Sequence, residues 1–122
     1  MSNPDKKYDL EERTTVFGEK VIDFAKHIFR GPINDPVIVQ FVKAGTSIGA
    51  NYCEADSAES RKDFEHKIGI CKKEAKEARY WLRMVAKACP ELKEEARLLW
   101  QEANELLLIF SSIIRSSRSR ND

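Results

Sequence analysis

The chain is poor in the residues that break regular structure, with five glycines and four prolines among 122 residues. This excludes a collagen-like or low-complexity protein. The longest apolar run, Leu106–Phe110, is far too short to cross a bilayer, and the first residues lack the apolar core of a signal peptide. We therefore expect a cytoplasmic protein with no membrane partner.

Residues that bind metals or act as nucleophiles are also scarce. Cys53, Cys71 and Cys89 stand eighteen positions apart, without a C-x-x-C pair, which excludes a disulfide framework and a zinc knuckle. A ferritin-like metal site needs two Glu-x-x-His pairs, and Asp63-x-x-His66 is the single near match. No nucleophile elbow or triad spacing is present. The sequence predicts no cofactor, metal or catalytic residue, and a metal-dependent enzyme remains only the last alternative.

What the chain does contain is 42% hydrophobic and 34% charged residues, the composition of a helical protein. Its length fits one domain over residues 1–122, with frayed termini at about 1–8 and 116–122. Apolar residues recur at steps of three and four in four segments. The pattern predicts an antiparallel, up-and-down four-helix bundle. Its four seams are Leu10, Thr14, Phe17, Val21, Phe24 and Ile28; Val37, Phe41, Ala44, Ile48, Tyr52 and Ala55; Phe64, Ile68, Cys71, Ala75, Ala78, Leu82 and Val85; and Leu92, Ala96, Leu99, Ala103, Leu106, Phe110 and Ile113.

Start and stop signals separate these helices. Gly31-Pro32 predicts the end of the first helix, with Gly31 in the left-handed region, and Asp35-Pro36 predicts the start of the second. Ser60 with Asp63 resembles a capping box that opens the third. Cys89-Pro90 predicts the end of the third helix.

The stretch "KAGTSIGANYCEAD" at 43–56 contains two glycines inside the second helical pattern. It is not a phosphate-binding loop, because no strand precedes it and no Lys-Ser or Lys-Thr follows the glycines. Gly45, Gly49 and Cys53 recur every four residues, which predicts a groove of small residues where another backbone approaches closely. Such a contact would offset the roughly 1 kcal/mol that each glycine costs a helix.

The third helix separates its charges. Residues 61–87 hold nine Lys or Arg against four acids, and the cations form one flank of the helix. Three interpretations remain open: a solvated face, pairing with an acidic flank of another subunit, or phosphate binding. The possible nucleic-acid or inter-subunit residues, including those of the basic tail, are Lys72, Lys76, Arg79, Arg83, Lys87, Arg115 and Arg118.

The last turns of the fourth helix, "LLLIFSSII", are apolar all round. A helix in a small bundle buries one face in its own core, so the remaining apolar residues require a cover. We expect an oligomer interface at Leu107, Leu108, Ile109 and Ile114.

Four segments of the chain resemble a known family: "YDLEERT" at 8–14, "TSIGANYCEAD" at 46–56, "AESRKDFEHKIGI" at 58–70 and "KEARYWLRM" at 76–84. They are similar to the four-helix bundle proteins encoded by intervening sequences of bacterial 23S ribosomal RNA genes. The resemblance implies a homopentameric ring without enzymatic activity, related in fold to the nucleic-acid-binding accessory protein of diversity-generating retroelements.

These observations together predict a non-enzymatic protein that acts in assembly or scaffolding. Its expected partner is a second copy of the same chain, in a homo-oligomer that the family resemblance implies is a pentamer. The alternative is an RNA-binding module that uses the basic row of the third helix.

Overall fold

The computed structural model describes residues 9–120 and contains four α-helices with short connections. Because consecutive helices reverse direction, the chain forms an up-and-down bundle, which confirms the predicted all-α class. Residues 1–8, predicted as a frayed terminus, lie outside the described residues. The helices are α1 (Leu10–Ala25), α2 (Asn34–Asp56), α3 (Arg61–Ala88) and α4 (Lys93–Arg120), with a 3₁₀ turn at Pro90–Leu92 before α4.

The core is built from the predicted seams. All six positions of the first predicted seam are buried, as are the seam positions of α3 from Ile68 to Val85. Each fully buried aliphatic or aromatic side chain contributes roughly 1.5–3 kcal/mol relative to exposure. Phe24 and Phe41 meet edge to face, with ring centroids 5.8 Å apart, and join α1 to α2. The spacing of apolar residues therefore decides which face of each helix turns inward.

Side-chain caps fix the starts of two helices. The carboxylate of Asp9 accepts a hydrogen bond from the backbone N–H of Glu12 at 3.4 Å, and Ser60 Oγ accepts one from Asp63 N–H at 3.0 Å. Both satisfy first-turn donors that have no partner within the helix. The α3 helix ends at Ala88, as the Cys89-Pro90 pair predicts.

The connection between α1 and α2 differs from the prediction. α1 ends at Ala25. The next residues form turns with hydrogen bonds between positions three apart: the N–H of His27 donates to the carbonyl of Phe24, and the N–H of Ile28 donates to the carbonyl of Ala25. This keeps Ile28 buried beyond the end of the helix. No glycine within residues 9–120 has a positive φ, so the left-handed cap at Gly31 was wrong.

Asp35 does not cap the free N–H groups at the start of α2 as predicted. It instead accepts hydrogen bonds from residues of the α1–α2 connection. It is the second residue of α2, and its carboxylate accepts hydrogen bonds from Arg30 Nε at 2.6 Å and Gly31 N at 3.0 Å. These bonds lower the pKa of Asp35, with the Arg30 hydrogen bond as the largest cause.

The end of α4 also differs from the prediction. Ile114 and Ser117 are buried, whereas Ile113, the predicted seam position, is half-buried. In a straight helix of 3.6 residues per turn, a seven-residue pattern rotates about 20° around the helix axis with each heptad. By the end of α4 this rotation brings Ile114, four residues after Phe110, to the inner face. The helix continues to Arg120, so residues 116–120 are helical where the sequence predicted fraying, and residues 121–122 lie outside the described part of the chain.

Candidate interaction surfaces

The glycines of α2 lie against α1 of the same chain. A Cβ at Gly45 would lie 2.6 Å from Val21 Cγ2, and one at Gly49 would lie 3.3 Å from Thr14 Oγ1. At Gly18, on α1, a Cβ would lie 3.8 Å from the Cα of Thr46. The groove of small residues is therefore an internal contact between α1 and α2.

Cys53 does not continue this groove as a buried residue. Its thiol is free and exposed, whereas Cys71 and Cys89 are free and buried. Cys71 Sγ donates a hydrogen bond to the carbonyl of Ile48 at 3.5 Å, and burial raises the pKa of its thiol to about 12. The equal spacing of the three cysteines therefore does not give them equal exposure, because Cys53 alone of the three is exposed.

Most of the basic row of α3 is exposed to solvent. Lys72, Lys76, Arg83 and Lys87 are exposed, and at 100° per residue they fall within an arc of about 60°. Arg79 differs, because its guanidinium donates to Asn104 Oδ1 at 2.8 Å and lies over the Trp100 ring, 5.4 Å from the centroid. The Arg79 side chain therefore joins α3 to α4 and is withdrawn from the exposed row.

The two basic residues predicted on α4 are related by their spacing to Asn104, the residue of α4 that contacts Arg79. Arg115 follows Asn104 by eleven positions and Arg118 by fourteen, spacings that return to one side of a helix. Asn104 itself contacts Arg79, and both arginines are exposed. The spacing thus places the basic tail on the Asn104 side of α4, beside the basic row, and we call these exposed cations together the basic face. Its exposed members are Lys72, Lys76, Arg83, Lys87, Arg115 and Arg118.

The apolar residues predicted as an oligomer interface divide between core and surface. Ile114 is buried in the chain's own core, and Leu107 and Ile109 are half-buried against that core. The assignment of Ile114 to an interface was wrong, because the drift of the helix brings it inward. Leu108 is 60% exposed and is the one member that projects fully from the bundle.

A larger set of exposed apolar side chains surrounds the α1–α2 connection. Of seven exposed large hydrophobic residues within 9–120, four occur between residues 22 and 39. Ile22 follows Gly18 by one turn and Val39 precedes Thr46 by two turns, so both lie along the outer edge of the α1–α2 contact. The four residues, here called the hairpin patch, are Ile22, Phe29, Ile33 and Val39.

A cleft of about 560 Å³ opens between α1 and α4. Apolar side chains from both helices line it, and charged side chains of both signs surround them. The apolar residues are Val16, Phe17, Phe24, Leu98 and Leu99, and the charged or titratable residues are Arg13, Lys20, Asp23, His27, Glu95 and Glu102.

Arg13 closes one end of this cleft. Its Nε donates to Glu102 Oε2 at 2.7 Å, and its Nη2 donates to Glu102 Oε1 at 2.9 Å and to Glu105 Oε1 at 2.7 Å. The hydrogen bond to Glu102 is the largest cause that raises the pKa of Arg13, so the guanidinium stays charged. A bidentate ion pair between Arg13 and Glu102 therefore joins α1 to α4 beside an apolar cleft.

The part of the chain that the structure describes contains no group of three or more His, Cys, Asp or Glu able to hold a metal ion. Across the same residues, no helix is both long enough and apolar enough to cross a membrane.

Comparisons with known proteins agree with this architecture. The family profile described as 23S rRNA-intervening sequence protein matches residues 12–112. Among solved structures, the bundle is similar to a protein of unknown function from the S23 ribosomal protein family of Bacteroides thetaiotaomicron VPI-5482, with 30% sequence identity and a TM-score of 0.75. That match covers 85% of this chain and 96% of the other. No curated protein matches significantly.

Proposed function

The chain belongs to the 23S rRNA-intervening sequence protein family, and from that premise we propose that it is a non-enzymatic assembly protein whose copies form a closed ring. Five copies is the number that the family resemblance implies. The free thiols of Cys53, Cys71 and Cys89 support action in the reducing cytoplasm.

One observation carries the assembly: the chain has two separate apolar surfaces with different shapes. The hairpin patch projects, with Phe29 74% and Ile33 79% exposed. The cleft between α1 and α4 is concave and has an apolar lining. A projecting surface that meets a concave one on the next copy is a head-to-tail contact, which generates a ring when its rotation closes.

The test begins with the mass of the protein at tens of micromolar, measured by light scattering. We expect a closed oligomer for the wild type and smaller species for two variants, Phe29→Ser with Ile33→Ser in the hairpin patch and Leu98→Ser in the cleft. Tyr80→Gln is the matched control, since Tyr80 is 53% exposed and lies outside both surfaces. It should leave the mass unchanged.

Mixing the two interface variants tests whether the contact is head to tail. Each retains one intact surface, so together they should form a one-to-one dimer that neither forms alone. A monomeric wild type would refute the assembly. Loss of assembly from Leu108→Glu, with full assembly of the hairpin and cleft variants, would place the interface on the outer side of α4 instead.

Nucleic-acid binding is a second candidate, and the basic face favours it. Six exposed cations from α3 and α4 share this face, while the acidic Asp63, Glu74 and Glu77 occupy the other flank of α3. We expect RNA affinity to fall with salt at a slope near −0.7 for each single-strand phosphate contacted. Lys72→Glu with Lys76→Glu should lower both affinity and slope. Identical binding by wild type and variant would exclude this face as the RNA site.

A further inference from the structure

A second cavity, of about 440 Å³, lies where the last turns of α3 meet the first turns of α4. Its volume is within the range of small-molecule sites, roughly 300–1,000 Å³. The lining is apolar at the base and cationic at the rim, with no acidic residue. The apolar residues are Leu82, Ala86, Ala96 and Trp100, and the cations are Arg83, Lys93 and Arg97.

Two of the three rim cations have no ion-pair partner among residues 9–120. Arg83 and Lys93 are exposed and make no ion pair with any acid in residues 9–120. Arg97 pairs with Glu94 one turn earlier on α4. Two unpaired cations therefore stand at the mouth of an apolar cavity, where a ligand's negative charge is favoured and where its apolar body loses contact with water.

The aromatic wall of the cavity is held in place before any ligand arrives. The guanidinium of Arg79 lies 5.4 Å from the centroid of Trp100 and is itself held by its hydrogen bond to Asn104. A wall fixed in this way costs a ligand little ordering entropy on binding. The indole also offers a flat surface that suits a planar ring.

We propose that this cavity binds a small ligand with a flat, apolar body and one or two negative charges. A nucleoside monophosphate and an aromatic carboxylate share this chemistry. The body would lie against Leu82, Ala86 and Trp100, and the anionic group would meet Arg83 and Lys93. The site shares Arg83 with the basic face, but it requires neither RNA binding nor ring assembly.

The test uses the two tryptophans as reporters. The full chain, labelled with ¹⁵N, has two indole N–H signals, and Trp81→Phe identifies the one from Trp100. Three compounds are titrated: 1-naphthoate, adenosine monophosphate and the uncharged 1-naphthalenemethanol. We expect a saturable shift of the Trp100 signal with at least one anion, and at least tenfold weaker binding of the uncharged compound. If adenosine monophosphate binds more tightly, the ligand is a nucleotide; if 1-naphthoate binds more tightly, the ligand is an aromatic carboxylate.

Matched variants locate the binding. Arg83→Gln with Lys93→Gln should weaken binding of the anion at least tenfold, whereas Lys72→Gln with Lys76→Gln removes the same charge outside the cavity and should leave the affinity unchanged. Ala86→Leu retains the charges, partly fills the cavity and should also weaken binding. The proposal is overturned if neither anion shifts Trp100 at millimolar concentration, if the uncharged compound binds equally well, or if both charge variants bind alike.

Discussion

Val21 of α1 packs directly over the backbone of Gly45 in α2, where a Cβ would lie 2.6 Å from Val21 Cγ2 and 2.8 Å from Cγ1. Both residues are buried. One turn along, a Cβ at Gly49 would lie 3.3 Å from Thr14 Oγ1 and 3.4 Å from the Thr14 carbonyl oxygen. The spacing between α1 and α2 thus depends on the absence of side chains at these two glycines.

We expect Gly45→Ala to destabilise the protein, although alanine favours a helix by about 1 kcal/mol over glycine. Val21 is fully buried and β-branched, so its side chain cannot rotate away from the new methyl group. Overpacking of this kind costs about 1–3 kcal/mol. The free energy of unfolding, measured in urea, should fall accordingly.

Gly69 supplies the control, because it lies inside α3 and a Cβ there would meet no atom within 4 Å. Gly69→Ala should stabilise the protein by about 0.5–1 kcal/mol, the helix-propensity gain alone. Val21→Ala combined with Gly45→Ala should cost less than the sum of the two single variants, since the first change removes the methyl groups that clash with the second. If Gly45→Ala proves as stabilising as Gly69→Ala, the close contact does not restrict the site.

The Arg13–Glu102 pair leads to a second expectation. Arg13→Met should lower the free energy of unfolding by about 1.5–3 kcal/mol, the range for hydrogen bonds to charged groups. The loss arises because the Arg13 side chain is 29% exposed and its removal leaves Glu102 and Glu105 without a counter-charge between them. Urea unfolding again supplies the measurement.

Arg30→Met is the matched comparison. Arg30 pairs with Asp35, but its side chain is 79% exposed, so water screens the pair and Arg30→Met should cost clearly less stability than Arg13→Met. Equal losses from the two variants would show that the α1–α4 pair has no advantage from its partial burial.

The inward faces of the helices were predictable from spacing alone. Phe17, Val21 and Phe24 recur at steps of four and three, and this local pattern is sufficient to place them inside. Spacing could not decide whether Ile113 or Ile114 is buried, because they follow Phe110 by three and by four residues and both steps fit one face of a helix. The drift of a straight helix along the whole of α4 decides it, and a local pattern does not contain that information.

The interaction surfaces were predicted less well. Phe29 and Ile33 flank Gly31-Pro32, and this signal could have placed them in a connection, away from the core. Arg79 belongs to the basic row by spacing, yet its side chain turns to Trp100 and Asn104. Neighbours from a helix distant in sequence decide such orientations, so the sequence predicts the charge of the face but not which of its members are exposed.

The cysteines give a third expectation, for thiol labelling of the native protein at pH 8. The exposed thiol of Cys53 should react rapidly with a disulfide reagent, while Cys71 and Cys89 should react only after unfolding. The absorbance of the released thiol counts the reacting groups, and Cys53→Ser should abolish the rapid phase. A second rapid phase would contradict the burial of the other two.

Cys71 also predicts how stability depends on pH. Its pKa is raised to about 12 in the folded chain by burial, against about 8.5 in an unfolded chain. Above pH 8.5 the unfolded state loses the proton and the native state keeps it, so this residue's contribution to stability falls as pH rises. Between pH 8.5 and 10 the free energy of unfolding should fall more steeply for the wild type than for Cys71→Ala. Parallel curves would contradict this.

Ser117 gives the last expectation, at the end of α4. Its Oγ donates a hydrogen bond to Glu65 Oε2 at 2.5 Å, and its side chain is buried, so it ties the last turns of α4 to the first turns of α3. Ser117→Ala should cost about 1 kcal/mol and speed amide hydrogen exchange in residues 115–120, because the bond that holds them is lost. Ser116→Ala, at an exposed neighbouring position, should change neither. Equal exchange in the two variants would mean that the helix end persists without this contact, since Ser117 and not Ser116 hydrogen-bonds to Glu65 of α3.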